Sequence, residues 1–167
     1  MHLIIDGYNL LHAGHPLRPT EQGDLQQERE QLIDQLASYR RTRPCEITVV
    51  FDGWKEGWIT EKRERKKGIE LIFSKLGEKA DEVIKRLVRE KGSGAYVVTS
   101  DREVARDAER MSVTVIPSEQ FRERMTLSSF RGGKDVDQDE EGRQKKKGPS
   151  RKLSKKERRR RAVLKKL

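Results

Sequence analysis

The chain is short of the residues that usually announce a function. Cys45 is its only cysteine, so no disulfide can form within it and it suits a reducing compartment. With three histidines and one cysteine, clustered soft or imidazole ligands are missing, which argues against a zinc or copper centre. No apolar run approaches the roughly 20 residues of a membrane span. The opening Met-His-Leu-Ile-Ile-Asp has neither the charged lead nor the apolar length of a signal peptide. These absences predict a cytoplasmic protein without a membrane partner. Apolar residues are scarce too, at 32% against 40% charged; that is too polar for all 167 residues to be packed core.

The charge is unevenly spread. Residues 143–167 hold 14 of the 38 Lys and Arg but one of the 28 acids. The tail therefore carries +13, and residues 1–142, with 24 bases and 27 acids, carry −3. The body is not a basic protein; it bears a basic appendage. Three parts are expected: a domain over 1–125, an acidic and polar linker over 126–142 that includes Asp135–Glu141, and the tail.

Within the domain, five short runs are continuously apolar and read as buried parallel strands: Leu3–Ile5, Ile47–Phe51, Ile69–Phe73, Ala95–Thr99 and Val113–Ile116. Helical spacing separates them, in Leu25, Leu32, Ile33, Leu36 and Tyr39, and again in Ala80, Ile84, Leu87 and Val88. Arg102–Arg110 is a short charged helix with Val104, Ala105 and Ala108 as its apolar side, and Gly92 and Gly94 form a helix stop. This alternation predicts an α/β fold, a Rossmann-like three-layer α/β/α sandwich with a mainly parallel sheet. Gly53–Gly68 shows no core-facing period and reads as an exposed loop or short helix.

In such sheets ligands bind beyond the carboxyl ends of the strands. Asp6, Asp52 and Asp101 fall at three of those ends, and Asp81 falls in the first turn of the helix before the fourth strand. With the first strand central, Asp6 would lie between Asp52 and Asp101. Carboxylates gathered in one cleft repel one another unless a cation is present, and hard oxygen donors select Mg²⁺ or Mn²⁺, as one ion or two. Such ions can activate water against a phosphodiester. Each acid also has a plainer reading: Asp6 and Asp52 precede glycines and suit turns, and Asp81 suits a helix start. Ser100 and Glu103 have capping-box spacing, which would leave Asp101 free for chemistry.

Four segments, Leu-Ile-Ile-Asp-Gly-Tyr-Asn-Leu-Leu (3–11), Val-Val-Phe-Asp-Gly (49–53), Gly-Glu-Lys-Ala-Asp-Glu-Val-Ile (77–84) and Val-Thr-Ser-Asp-Arg-Glu (98–103), together resemble the NYN domain. The match is to its bacterial YacP-like branch, within the PIN-like nuclease superfamily, over residues 1 to about 125. The resemblance implies endonucleolytic cleavage of RNA with Mg²⁺ or Mn²⁺. It places metal-binding, catalytic acids at Asp6, Asp52, Asp81 and Asp101, and substrate-positioning residues at Asn9, Ser100 and Arg102. Glu82, next to Asp81 but about 100° round the helix, ranks lower. The resemblance implies nothing for the acidic stretch or the tail.

Phosphates need cations along their path. The 53–68 segment supplies Lys55, Lys62, Arg63, Arg65, Lys66 and Lys67, with Trp54 and Trp58 to stack on bases; alternatively the tryptophans pack on the domain and the charges are a solvated face. The tail, with Lys145–Lys147 and Arg158, Arg159, Arg160 and Arg161, reads as a tether to RNA, with single-stranded mRNA and the ribosome as partners; the plainer reading is a sticky solvated tail. His12 and His15 read as loop residues rather than an acid–base pair.

Other classes fit less well. A non-catalytic RNA- or ribosome-binding module gains nothing from four phosphate-repelling carboxylates. A haloacid-dehalogenase-like phosphatase needs a second Asp where Tyr8 stands, and a receiver domain needs a Lys where Ile116 is followed by Pro117 and Ser118.

Overall fold

The computed structural model describes residues 1–13, 22–53 and 57–131, with 154, 157–159 and 162 of the tail. Its elements are β1 (His2–Asp6), α1 (Gly7–His12), α2 (Gln22–Thr42), β2 (Glu46–Phe51), β3 (Lys62–Lys66), β4 (Ile69–Phe73), α3 (Ala80–Lys91), β5 (Ala95–Val98), α4 (Arg102–Arg110), β6 (Thr114–Ile116) and α5 (Ser118–Arg131). Six strands form one sheet in the order β3-β4-β2-β1-β5-β6. All neighbours run parallel except β3 and β4.

The strand runs look uniformly apolar because both faces of the sheet are covered, so consecutive residues enter different cores. Leu3, Ile5, Val49, Phe51, Leu71 and Phe73 point to one side, where α2 and α5 add Leu32, Leu36, Tyr39, Phe121 and Met125. Ile4, Val50, Ile72 and Val97 point to the other, against Val83, Ile84, Leu87 and Val88 of α3 and Val104 and Ala108 of α4. This is the expected α/β/α layering. β1 lies between β2 and β5, also as expected, and the chain leaves it in opposite directions. That is the topological switch point where such sheets bind ligands.

The structure corrects the reading of Gly53–Gly68 as a loop or short helix. Lys62–Lys66 is a strand, paired antiparallel with β4 in the register Lys62↔Phe73 to Lys66↔Ile69. It escaped the periodicity argument because it is charged on both faces, as suits an exposed sheet edge that must not recruit another strand. The turn that makes it is Lys67–Gly68, with φ of 52° and 81°. Two positive φ values in a two-residue connection are the type I′ hairpin geometry, and glycine takes the second without strain.

α5 crosses residue 125 and runs to Arg131, burying Phe121 and Met125. In the tail, the Ser154 amide donates to Glu157 Oε2 (2.9 Å) and the Glu157 amide to Ser154 Oγ (3.2 Å). This reciprocal pair is a capping box, and residues 157–159 are helical and exposed. Arg158 and Arg159 thus belong to a capped helical turn; Trp54, Lys55, His15, Arg160, Arg161 and Asp135–Glu141 lie outside the described residues.

Candidate active site

Asp6 ends β1 and caps α1. Its Oδ1 accepts the Asn9 amide (3.1 Å) and its Oδ2 the Thr99 hydroxyl (3.2 Å). It is 8% exposed, and burial pushes its pKa up to about 6. The two hydrogen bonds oppose that rise, and the charges of Asp81 and Asp52 add to it.

Asp52 follows β2 and does unexpected work at a distance. Lys79, at the N-cap of α3, makes no side-chain capping bond; instead Asp52 Oδ1 accepts the Ala80 amide at 2.6 Å. A strand-end carboxylate thereby caps a helix 28 residues later. Asp81 lies in the first turn of that helix, half-buried. Its pKa is raised, first by burial and then by Asp101 and Asp52, with Lys85 opposing.

Asp101 corrects the capping-box reading. It is itself the N-cap of α4, with Oδ1 accepting from the Glu103 amide (2.7 Å) and the Val104 amide (3.2 Å). Ser100 does not cap that helix; it turns the other way, toward α5. Asp101 is therefore not spare, but it spends one oxygen on the helix and leaves Oδ2 for a ligand. Asp52 does the same.

The N-termini of α1, α3 and α4 thus meet at one sheet edge, each held by an aspartate. Their positive ends offset part of the repulsion among the acids. The four aspartates are linked electrostatically through Asp81: Asp6 feels Asp52 and Asp81, and Asp81 feels Asp52 and Asp101. Asp6 alternates with Ile5 along β1 and feels the charge of Asp81, and Asp52 reaches the Ala80 amide, so both belong to the α3 side of the sheet.

The two Asp-Gly steps owe their glycines to packing, not to turn geometry. A Cβ on Gly7 would overlap the Phe51 ring, and one on Gly53 would overlap the Ser74 carbonyl. Neither glycine has a positive φ.

Asn9 is fixed by its carbonyl end. Its Oδ1 accepts the Ser100 amide (2.8 Å) and the Ser118 hydroxyl (2.7 Å), which leaves its amide nitrogen as the group available to a ligand. Ser118 is fully buried and its amide donates to Ser100 Oγ (3.0 Å), whose hydroxyl donates to Glu119 Oε2 (2.5 Å). That bond holds the Glu119 carboxyl below its ordinary pKa. Ser118 and Glu119 were missed in the sequence reading; the available signal was a Ser-Glu pair just past the carboxyl end of β6, on the same edge as the acids. Arg102 is exposed at the first position of α4. Glu82 is exposed and pairs with Lys85 at 3.0 Å, and His12 is exposed in the last turn of α1, so it is helical rather than part of a loop.

The donor set is carboxylate oxygen, which suits Mg²⁺ or Mn²⁺ by type. Among the described residues, no group of three or more His, Cys, Asp and Glu side chains is arranged to hold a metal ion by itself. The edge therefore fits an ion that keeps water and binds through one or two carboxylates plus substrate phosphate, as Mg²⁺ commonly does. It does not form a closed cage.

The cations of the 62–67 segment do not share one surface. Lys62 and Lys66 lie on the α2 face of β3, Arg63 and Arg65 on the opposite face. Most are paired with acids: Lys62 and Lys66 with Glu64, Arg63 with Glu61, Lys67 with Asp34. Trp58 is 36% exposed and lies under Lys62, whose Nζ is 4.4 Å from the ring centre.

The family model of the YacP-like NYN domain matches residues 3–166, past residue 125 and through most of the tail. YacP of Bacillus subtilis is 32% identical over 102 residues, which make up 59% of each chain; the match spans about three-fifths of that relative's length. The crystal structure of Rae1 (YacP) from Bacillus subtilis superposes with a TM-score of 0.65 at 25% identity, covering 80% of this chain and 78% of that one. A tryptophan-to-leucine mutant of it gives 0.65 at 23%, covering 78% and 77%. No described helix is long and apolar enough to cross a membrane. From the order of its motifs, the layering of its sheet and a match over nearly its whole length, the chain belongs to the YacP-like NYN domain family.

Proposed function

We propose that this chain is a metal-dependent endoribonuclease. It cleaves phosphodiester bonds of single-stranded RNA with carboxylate-bound Mg²⁺ or Mn²⁺, acts in the cytoplasm in mRNA decay or RNA processing, and uses its basic tail to hold RNA or the ribosome. Family membership supports a nuclease-type function. The observation that carries the finer reading is the convergence of four aspartates on the switch-point edge, with the Asp6 pKa pushed up to about 6. Structural caps alone do not require a fourth, mutually repelling carboxylate there.

In this reading Asp6, Asp52, Asp81 and Asp101 would hold the ion together, one or two of them directly and the others through its water. When bound, it supplies the Lewis acidity that activates water and the charge that stabilises the phosphodiester in transit. Burial raises the Asp6 pKa in the ion-free chain, and a bound cation would hold its carboxylate in the charged form. The Asn9 amide nitrogen, oriented by Ser118 and Ser100, holds a phosphate oxygen. The Arg102 guanidinium, in the first turn of α4, steadies the neighbouring phosphate.

The test is cleavage of labelled single-stranded RNA with Mn²⁺ or Mg²⁺, and with EDTA, by the native chain and by Asp6→Asn and Asp101→Asn. Asparagine accepts the same backbone bonds at an N-cap, so these variants keep α1 and α4 while removing the charge. Metal-dependent cutting lost in both supports the nuclease. The absence of a ready three-ligand group among the described residues favours a second reading, an RNA- or ribosome-binding module without catalysis. No cutting by the native chain, on free RNA or on translating ribosomes, would establish that one.

A further inference from the structure

On the other side of the sheet edge from the aspartates lies a pocket of about 350 Å³, in the lower range of small-ligand sites. Phe51 and Phe73 line it, their rings stacked at 5.6 Å and 21°. Tyr8 stands edge-on to Phe51, with centroids 5.3 Å apart. Arg29 reaches in from α2: its guanidinium carbon is 5.9 Å from the Phe51 centroid and 5.6 Å from that of Phe73, and Nη1 donates to the Tyr8 hydroxyl at 3.5 Å. Lys62 and Glu64 of β3 close the far wall, paired at 3.5 Å.

The pocket is not built for a bare phosphate, since Glu64 is paired with both Lys62 and Lys66 and Glu30 adds a second carboxylate to the lining. It has what an unpaired nucleobase uses: a guanidinium plane supported on aromatics for stacking, and hydroxyl and carboxylate groups to meet its polar edge. Its position is as telling as its lining. Phe51 is the last residue of β2 and Asp52 the next, and Tyr8 is two residues beyond Asp6. Pocket and acid cluster therefore share the same two strand ends and differ only in the face of the sheet.

We propose that this pocket receives the base of an unpaired nucleotide neighbouring the phosphate that Asn9 holds beside the aspartates, with Arg29 as the stacking residue. The strand would cross the sheet edge, its backbone at the acids and one base turned down on the α2 side. The inference rests on the reading of RNA as the ligand, but not on cleavage.

The test is equilibrium binding of the full chain to labelled single-stranded RNA in EDTA, against an abasic ribose-phosphate strand of the same length and charge. Arg29→Ala is expected to weaken the intact strand about tenfold, within the weight of one stacked base, and the abasic strand less than about twofold. Arg29→Lys, which keeps the charge but not the plane, should lose nearly as much on the intact strand. It also serves if the alanine variant melts early. Equal losses on both strands, no loss on either, or full rescue by lysine would each overturn the base pocket. Because no metal is present, a chain that never cleaves RNA could still show the coupling. Cleavage with no Arg29 coupling would refute the pocket and leave the nuclease standing.

Discussion

The two faces of the sheet meet at its carboxyl edge with opposite chemistry. Toward α3 and α4 the strand ends present Asp6 and Asp52, joined by Asp81 and Asp101. Toward α2 they present Phe51 and Phe73 beneath Arg29, with Lys62 alongside. One residue separates the two, because side chains alternate along a strand. A strongly acidic cleft and a cation-bearing aromatic pocket can thus stand back to back without neutralising each other, divided by a layer of backbone. In the proposed reading an edge that repels RNA on one face binds it on the other, with the chemistry and the grip on different faces.

The sharpest way to break the comparison is to remove charge from the acidic face. Asp6→Asn or Asp101→Asn should lower metal-dependent RNA cleavage by at least about a hundredfold, since even groups that only support metal ligands cost 10- to 100-fold. RNA affinity in EDTA should stay level or rise, as a repelling carboxylate is gone. A loss of affinity together with activity would mean that the two faces are not separate.

Stability should move the other way. The Asp6 pKa stands above its ordinary 3.8, at about 6, so the folded state holds that proton more tightly than the unfolded state does. Between about pH 4 and 6 the native chain then loses stability as pH rises, and the penalty is in full force above 6. A shift of this size corresponds to at most about 3 kcal/mol, partly offset by changed hydrogen bonds. Asp6→Asn should therefore raise Tm at pH 7.5 and flatten its pH profile between 4 and 6; a lowered Tm would count Asp6 as structural. Mg²⁺ or Mn²⁺ should raise the native Tm and leave the variant closer to its metal-free value.

The acidic face was the more legible of the two in the sequence. Three of its four members, Asp6, Asp52 and Asp101, follow apolar runs, and position at a strand end is a local property that a periodic pattern exposes. The grip was hidden, because Arg29 lies on an ordinary charged helix and β3 is a strand without apolar alternation. What connects Arg29 to Phe51 and Phe73 is the packing of α2 across β2 and β4, which no spacing along the chain encodes. Local rules misled at Asp101 for a related reason: Ser100 and Glu103 satisfied the capping pattern, yet Ser100 was claimed by Ser118 and Glu119 of a distant element. The glycines of Asp6-Gly7 and Asp52-Gly53 were visible as turn signals, but their cause is close approach across the sheet. Gly7→Ala, forcing the Phe51 ring aside, should cost about 1–3 kcal/mol in urea unfolding, and should disturb the pocket before the acids.

The mildest test separates cations by face. Lys62 and Lys66 share the α2 face of β3 with the pocket, whereas Arg63 and Arg65 point to the opposite side, where Arg63 is engaged with Glu61 and Glu70. A general electrostatic attraction would weight all four alike, since counterion release depends on the number of phosphates neutralised. A path crossing the edge and descending on the α2 side would not. Each exposed pair is partly discharged by its acids, so the effect should be small. Lys62→Ala with Lys66→Ala is expected to weaken binding of single-stranded RNA by about threefold and to lower the salt slope by about one. Arg63→Ala with Arg65→Ala should change binding less than about 1.5-fold, within the few tenths of a kcal/mol typical of an exposed charge pair. Equal losses would spread the RNA over both faces of β3 and dissolve the distinction between a chemical face and a gripping one. A larger loss at Arg63 and Arg65 would reverse it, and would route the strand over the side of the sheet where His2, Thr48 and Glu70 lie.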